Sequence, residues 1–161
     1  MPALARWSPI LLALTCSCSE PSSDELVGDW ITAARDLEPA GYDQAELSLR
    51  SSGSFRWVLR SYGLIPAQNP DELSASTTVE GTFRTENDQV IFHAQRLVTW
   101  DRFYGADSPP LVQDPYPYGE LFDQAHYQIV GSRLMLNYVS YPADGPVPTQ
   151  AEFDRKGTAP Q

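Results

Sequence analysis

Leu47-Ser48-Leu49-Arg50-Ser51-Ser52-Gly53-Ser54-Phe55-Arg56-Trp57-Val58-Leu59 decides the fold class of this chain. Leu47 and Leu49 alternate with Glu46, Ser48 and Arg50. After a Ser-Ser-Gly-Ser turn, Phe55, Trp57 and Leu59 alternate with Arg56, Val58 and Arg60. A period of two belongs to a strand that buries one face, and two such runs around a glycine-containing turn predict a β-hairpin.

The same pattern continues in both directions. Val79, Gly81 and Phe83 alternate with Glu80, Thr82 and Arg84, and Asn87-Asp88 turns the chain into Gln89 to Trp100. Tyr127 and Ile129 precede Gly131-Ser132; Leu134, Leu136 and Tyr138 follow it, alternating with Met135, Asn137 and Val139. An opening strand near Leu26 to Ala33 and a closing one near Thr149 to Lys156 bring the count to about eight. The expected fold is all-β: an eight-stranded antiparallel up-and-down barrel over residues 26–157, with a disordered tail at 158–161. Closure into a barrel also removes the exposed edges that invite aggregation. Asn69-Pro70-Asp71-Glu72 reads as a capped helical turn, with Asn69 as cap and Glu72 reaching back.

Ahead of the strands, Arg6 supplies one positive charge, Pro9 to Thr15 a short apolar run, and small residues surround Cys16 and Cys18. The run is far shorter than the roughly 20 residues a membrane-spanning helix needs. It resembles a bacterial lipoprotein signal, which implies a signal peptide over 1–15, an acylated Cys16 (alternatively Cys18) and a short tether to residue 25. Secretory cleavage after Ser19 without a lipid is the alternative. The resemblance implies export to the bacterial cell envelope and a membrane partner held through the acyl anchor, with Ser after either cysteine favouring the outer membrane. A disulfide between Cys16 and Cys18 would close too tight a loop, and no other cysteine exists, so the domain must fold without one.

Charge narrows the partners. The chain carries 11 Lys+Arg against 21 Asp+Glu, a net charge of −10, which argues against nucleic acid and against unaided attachment to anionic lipid. A hydrophobic content of 42% with 11% aromatics suits one globular domain.

Gly28-Asp29-Trp30 opens the first strand, and Val79-Glu80-Gly81-Thr82-Phe83 and Gln89-Val90-Ile91-Phe92 stand later in the chain. Together they resemble the lipocalin-like (calycin) barrels found among bacterial envelope lipoproteins. The resemblance implies that Trp30 plugs the closed end of the barrel and that an arginine near the last strand lies across its ring. Period two places Arg155 on the same face as Phe153, so Arg155 over Trp30 is the pair expected. The Thr-Asp-Tyr motif of the best-known lipocalins is absent.

A small eight-stranded barrel is either filled by side chains or holds one small ligand. Trp57, Phe83, Phe92, Tyr127 and Tyr138 are the inward candidates for contact with a largely apolar ligand, each also readable as plain core. Arg96 has two readings. Strict alternation from Val90 points it inward, where it would meet a ligand's carboxylate, whereas a bulge near Gln95 turns it out and Leu97 in. Asp101 to Leu121 is too long for a hairpin connection and carries prolines and tyrosines, which suits a lid, a partner-binding face or a rigid surface loop.

His93 and His126 fall on the polar faces of their strands. The loop's acids do not match calcium spacing, and no nucleophile-elbow, phosphate-loop or dinucleotide motif occurs. No catalytic residue, metal or cofactor is expected. The leading expectation is a non-enzymatic, lipid-anchored binding barrel. The alternative is a filled barrel that contacts another envelope protein through loop 101–121.

Overall fold

The computed structural model describes residues 23–65, 69–105, 107–142 and 145–157. The expected signal peptide over 1–15, both cysteines, most of the expected tether and the tail expected at 158–161 lie outside them. Within the expected tether, Ser23–Leu26 forms a single helical turn, α1. Ten strands follow in chain order: β1 (Gly28–Ile31), β2 (Arg35–Asp36), β3 (Tyr42–Leu49), β4 (Ser54–Tyr62), β5 (Leu73–Glu86), β6 (Gln89–Asp101), β7 (Leu111–Gln113), β8 (Asp123–Val130), β9 (Arg133–Ser140) and β10 (Val147–Arg155).

All pairings are antiparallel, and the ring β1-β10-β9-β8-β6-β5-β4-β3 closes because β1 also pairs with β3. The result is the closed eight-stranded barrel expected, compatible with a lipocalin-like fold. The two surplus strands are second halves of interrupted staves. β2 continues beside β3 where β1 leaves off, and β7 lies beside the upper half of β6 while β8 joins its lower end.

Local sequence accounts for the closures. In the β3–β4 turn Gly53 takes a φ of 78° and donates to Arg50, while Arg50 donates to Ser54. Glycine reaches that left-handed region without strain. Asn69 accepts from the Asp71 backbone N–H and Glu72 donates to its carbonyl. This corrects the expected helical turn: the Asn69 side chain closes a tight Asx turn, and Glu72 pairs with Arg102 across the loops instead of reaching back.

Period two fills the interior. On β3 the buried positions are Asp43, Ala45, Leu47 and Leu49, each separated by a more exposed residue. Phe55, Val79, Phe92, Leu97, Leu134, Leu136 and Phe153 pack against them in the core.

The lower end is sealed by Trp30, which is 1% exposed and donates from Nε1 to the Leu26 carbonyl at 2.9 Å. The Arg155 guanidinium lies 4.3 Å above the Trp30 ring centroid. It also donates to the carbonyls of Val27 and Glu25, at 3.1 and 2.5 Å, so one side chain stacks on the plug and caps α1. Gly28, two residues before the tryptophan, takes a φ of 154° that side chains rarely adopt, and a Cβ there would displace the Arg155 guanidinium from 2.7 Å.

Candidate functional site

The barrel wall opens on one side. β1 pairs with β10 over only two residues, Trp30 with Arg155 and Ile31 with Asp154, although β10 begins at Val147. Above Ile31 the chain turns toward β3. Thr32 donates its N–H to the Ala45 carbonyl and accepts the Ala45 N–H on its hydroxyl, which fixes the departure. The parting of Thr32–Arg35 from Thr149–Phe153 leaves a mouth into a cavity of about 470 Å³.

Ala45, Trp57, Leu59 and Tyr138 form the walls and Phe122 the floor. Phe122 is 5% exposed and meets Trp57, Phe92 and Tyr138 edge-on, with centroids 6.2, 5.2 and 4.9 Å away. Edge-to-face contacts align the positive rim of one ring with the negative face of another, which locks all four. The ring reaches the interior because β8 begins irregularly: its register with β9 shifts between Asp123 and His126, and Gln124 takes a φ of 51°.

Arg35, Asp43 and Glu152 are the charged residues that line the cavity, and the first two pair with each other. Asp43, 8% exposed, points inward from β3 and receives two hydrogen bonds from Arg35, Nε to Oδ1 at 3.1 Å and Nη2 to Oδ2 at 2.5 Å. The exposures are lopsided: the Arg35 side chain is 74% accessible and that of Asp43 only 11%. The bond to Asp43 raises the Arg35 pKa further, and burial raises that of the Tyr138 hydroxyl, partly offset by the Arg35 charge.

The six expected ligand contacts separate into three groups. Trp57 and Tyr138 line the cavity. Phe92 and Tyr127 pack in the core, Phe83 packs half-buried against it, and none of the three lines the cavity. Arg96 is a correction to strict alternation: Glu80 pairs with Arg96 but Gly81 with Ala94, so Gln95 bulges out and Leu97 turns in. Arg96 ends on the outer face, 3.6 Å from Glu80, which also holds Arg56 at 3.3 Å. Gly81 permits the bulge, since a Cβ there would stand 2.1 Å from the His93 carbonyl oxygen.

The long connection is neither a free lid nor an isolated loop. Residues 102–104 form a 3₁₀ turn, β7 pairs with β6, and Tyr116 donates its N–H to the Gln95 carbonyl. A groove of about 790 Å³ lies between this segment and the Gln95 bulge on the outside of the barrel, where Glu80, Arg96, Asp114 and Glu120 stand beside Pro115 and Tyr116.

Both histidines face out. His126 bonds to Asp88 at 3.0 Å and to Gln89 at 3.2 Å, on the exposed seam where β8 meets β6. Among the described residues no group of three His, Cys, Asp or Glu is placed to hold a metal.

Asp43, Arg35 and Phe122 were not singled out from the sequence. Continuing the Leu47 and Leu49 alternation backwards reaches Ala45 and Asp43, so that signal was present for Asp43. Phe122 follows an aperiodic, proline-rich stretch that carried none. No family model, curated protein or solved structure matches the chain.

Proposed function

We propose that the protein is a lipid-anchored envelope lipoprotein whose barrel binds one small, largely apolar ligand through the side mouth. The observation that carries this reading is the 470 Å³ cavity walled by Trp57, Leu59, Tyr138 and Ala45. Ordinary ligand pockets begin near about 300 Å³ and are mostly apolar with a few placed polar groups, which is the composition here. Phe122 closes the inner end of the cavity, so its volume of about 470 Å³ suits one small ligand.

Anchoring through Cys16, or alternatively Cys18, rests on the sequence pattern. Labelling cells with a radioactive fatty acid tests it: label on the wild type that is lost in Cys16→Ala or Cys18→Ala is expected, and an unlabelled wild type overturns the anchor. Native mass spectrometry of the full chain extracted in mild detergent tests the ligand. A small molecule retained at one per chain is expected. Bare protein that also fails to bind an apolar fluorophore overturns binding.

A second reading is favoured by Phe122 itself, which fills the barrel axis, and by Leu111, Val112 and Tyr118, which stay 61%, 46% and 68% exposed on the long connection. In that reading the barrel is a scaffold and the connection meets another envelope protein.

A further inference from the structure

We infer that the ligand of the barrel mouth is an organic cation, an amine or quaternary ammonium on an apolar body, for which Asp43 is the counter-ion and Arg35 a displaceable stand-in. This rests on the mouth being a ligand site at all, and adds the charge of what enters.

A carboxylate inside a barrel keeps its charge only beside a cation, because desolvation without a partner costs several kcal/mol. In the free protein Arg35 supplies that cation. The pair is unequal in a way that fixes which member gives way. Asp43 is held on β3 within the cavity wall, whereas Arg35 stands on a two-residue strand with most of its side chain in water. Arg35 therefore swings into solvent at little cost, and a ligand ammonium takes its place on Asp43. The reverse exchange would bring an anionic ligand to Arg35 and strand the Asp43 carboxylate beside it.

Two further features agree. Trp57, Tyr138 and Phe122 present aromatic surface to the same space, and aromatic faces attract cations. Beside Arg35, Asp36 pairs with Tyr42, whose hydroxyl bonds to Asp71, and Glu152 lines the cavity from β10 with Arg133 3.6 Å away on its outer side. That field draws cations toward the mouth and repels anions.

Three probes of similar body distinguish the charges: benzyltrimethylammonium, its neutral isostere neopentylbenzene, and phenylacetate. Each competes against N-phenyl-1-naphthylamine bound to the full chain at pH 8 and low salt. The expected order is cation over neutral by about tenfold or more, with phenylacetate weakest. Asp43→Asn should erase the preference for the cation while neopentylbenzene still binds. Arg35→Gln should strengthen benzyltrimethylammonium several-fold by removing its competitor, an increase that loss of a merely structural ion pair would not give.

Equal binding of cation and isostere, or preference for phenylacetate, overturns the charge assignment and leaves the apolar site standing. Failure of the fluorophore and every probe to bind overturns the site as well. The wild-type comparison needs no variant, so a poorly folding Asp43→Asn does not protect the proposal.

Discussion

Replacing Phe122 with alanine tests the floor of the cavity and the integrity of the barrel together. The ring is 5% exposed and holds three edge-on contacts, to Trp57, Phe92 and Tyr138. Truncating a buried phenylalanine costs about 3–5 kcal/mol, a figure that already includes such contacts. Because the ring borders an open cavity, water enters part of the vacated space, and the low end, about 3 kcal/mol, applies. For a domain spanning residues 28–155, an unfolding entropy of ~2.1 cal/mol/K per residue turns that loss into a Tm lower by about 10 °C. Differential scanning calorimetry measures it. The same variant vacates the volume of the ring beside the cavity and should bind pyrene more tightly than wild type, read by the enhanced fluorescence of a buried fluorophore. A Tm within about 3 °C of wild type and no gain of pyrene would refute Phe122 as the floor.

Trp30→Ala should cost about 3–5 kcal/mol in urea unfolding, and Arg155→Met about 2 kcal/mol. The double variant should lose less than the sum, because the guanidinium lies on the ring. Gly81→Ala forces a methyl to 2.1 Å from the His93 carbonyl oxygen and 3.0 Å from the Ala94 Cα, both backbone atoms, so it should cost about 3 kcal/mol or more; an unchanged urea midpoint would disprove the tight bulge. Asp29 is held below the usual carboxylate range first by the hydrogen bond from Arg50 and then by that from Ser48. A depressed native pKa stabilises fully above the unfolded value near ~3.9 and is lost as pH falls through the native one. Wild type should therefore lose Tm more steeply than Asp29→Asn below about pH 4, by a modest amount, since the carboxylate is 45% accessible and screened by water.

How far the sequence reaches is clear from particular residues. Trp30 and Arg155 were readable because period two carries Arg155 onto the Phe153 face, and the register Trp30 with Arg155 places them on adjacent strands. The three hairpins were readable because each turn has a residue suited to left-handed backbone, Gly53, Asn87 or Gly131, between alternating runs. Arg96 stayed open because a bulge is a backbone event. Its cue is Gly81 on the neighbouring strand, whose missing side chain lets the β6 backbone approach.

Asp43 escaped notice because alternation assigns polar residues to the outside, and a buried carboxylate breaks that assumption until its partner Arg35 is seen eight residues earlier. Phe122 escaped because its inward course depends on a long-range path, along β6 and back through an irregular start to β8. The side mouth arises from a pairing that stops after two residues, and no local pattern marks where a strand leaves its neighbour.

Titration of the full chain with N-phenyl-1-naphthylamine, compared with Ala45→Phe, tests most directly whether the barrel mouth is a ligand site. Ala45 lines the cavity and is 8% exposed, so an added ring has only that space to occupy. Saturable binding at one fluorophore per chain is expected for wild type, with at least about tenfold weaker binding in the variant and the same far-ultraviolet circular dichroism for both. No saturable binding by wild type, or equal binding by the two proteins, would contradict a ligand site in the barrel mouth.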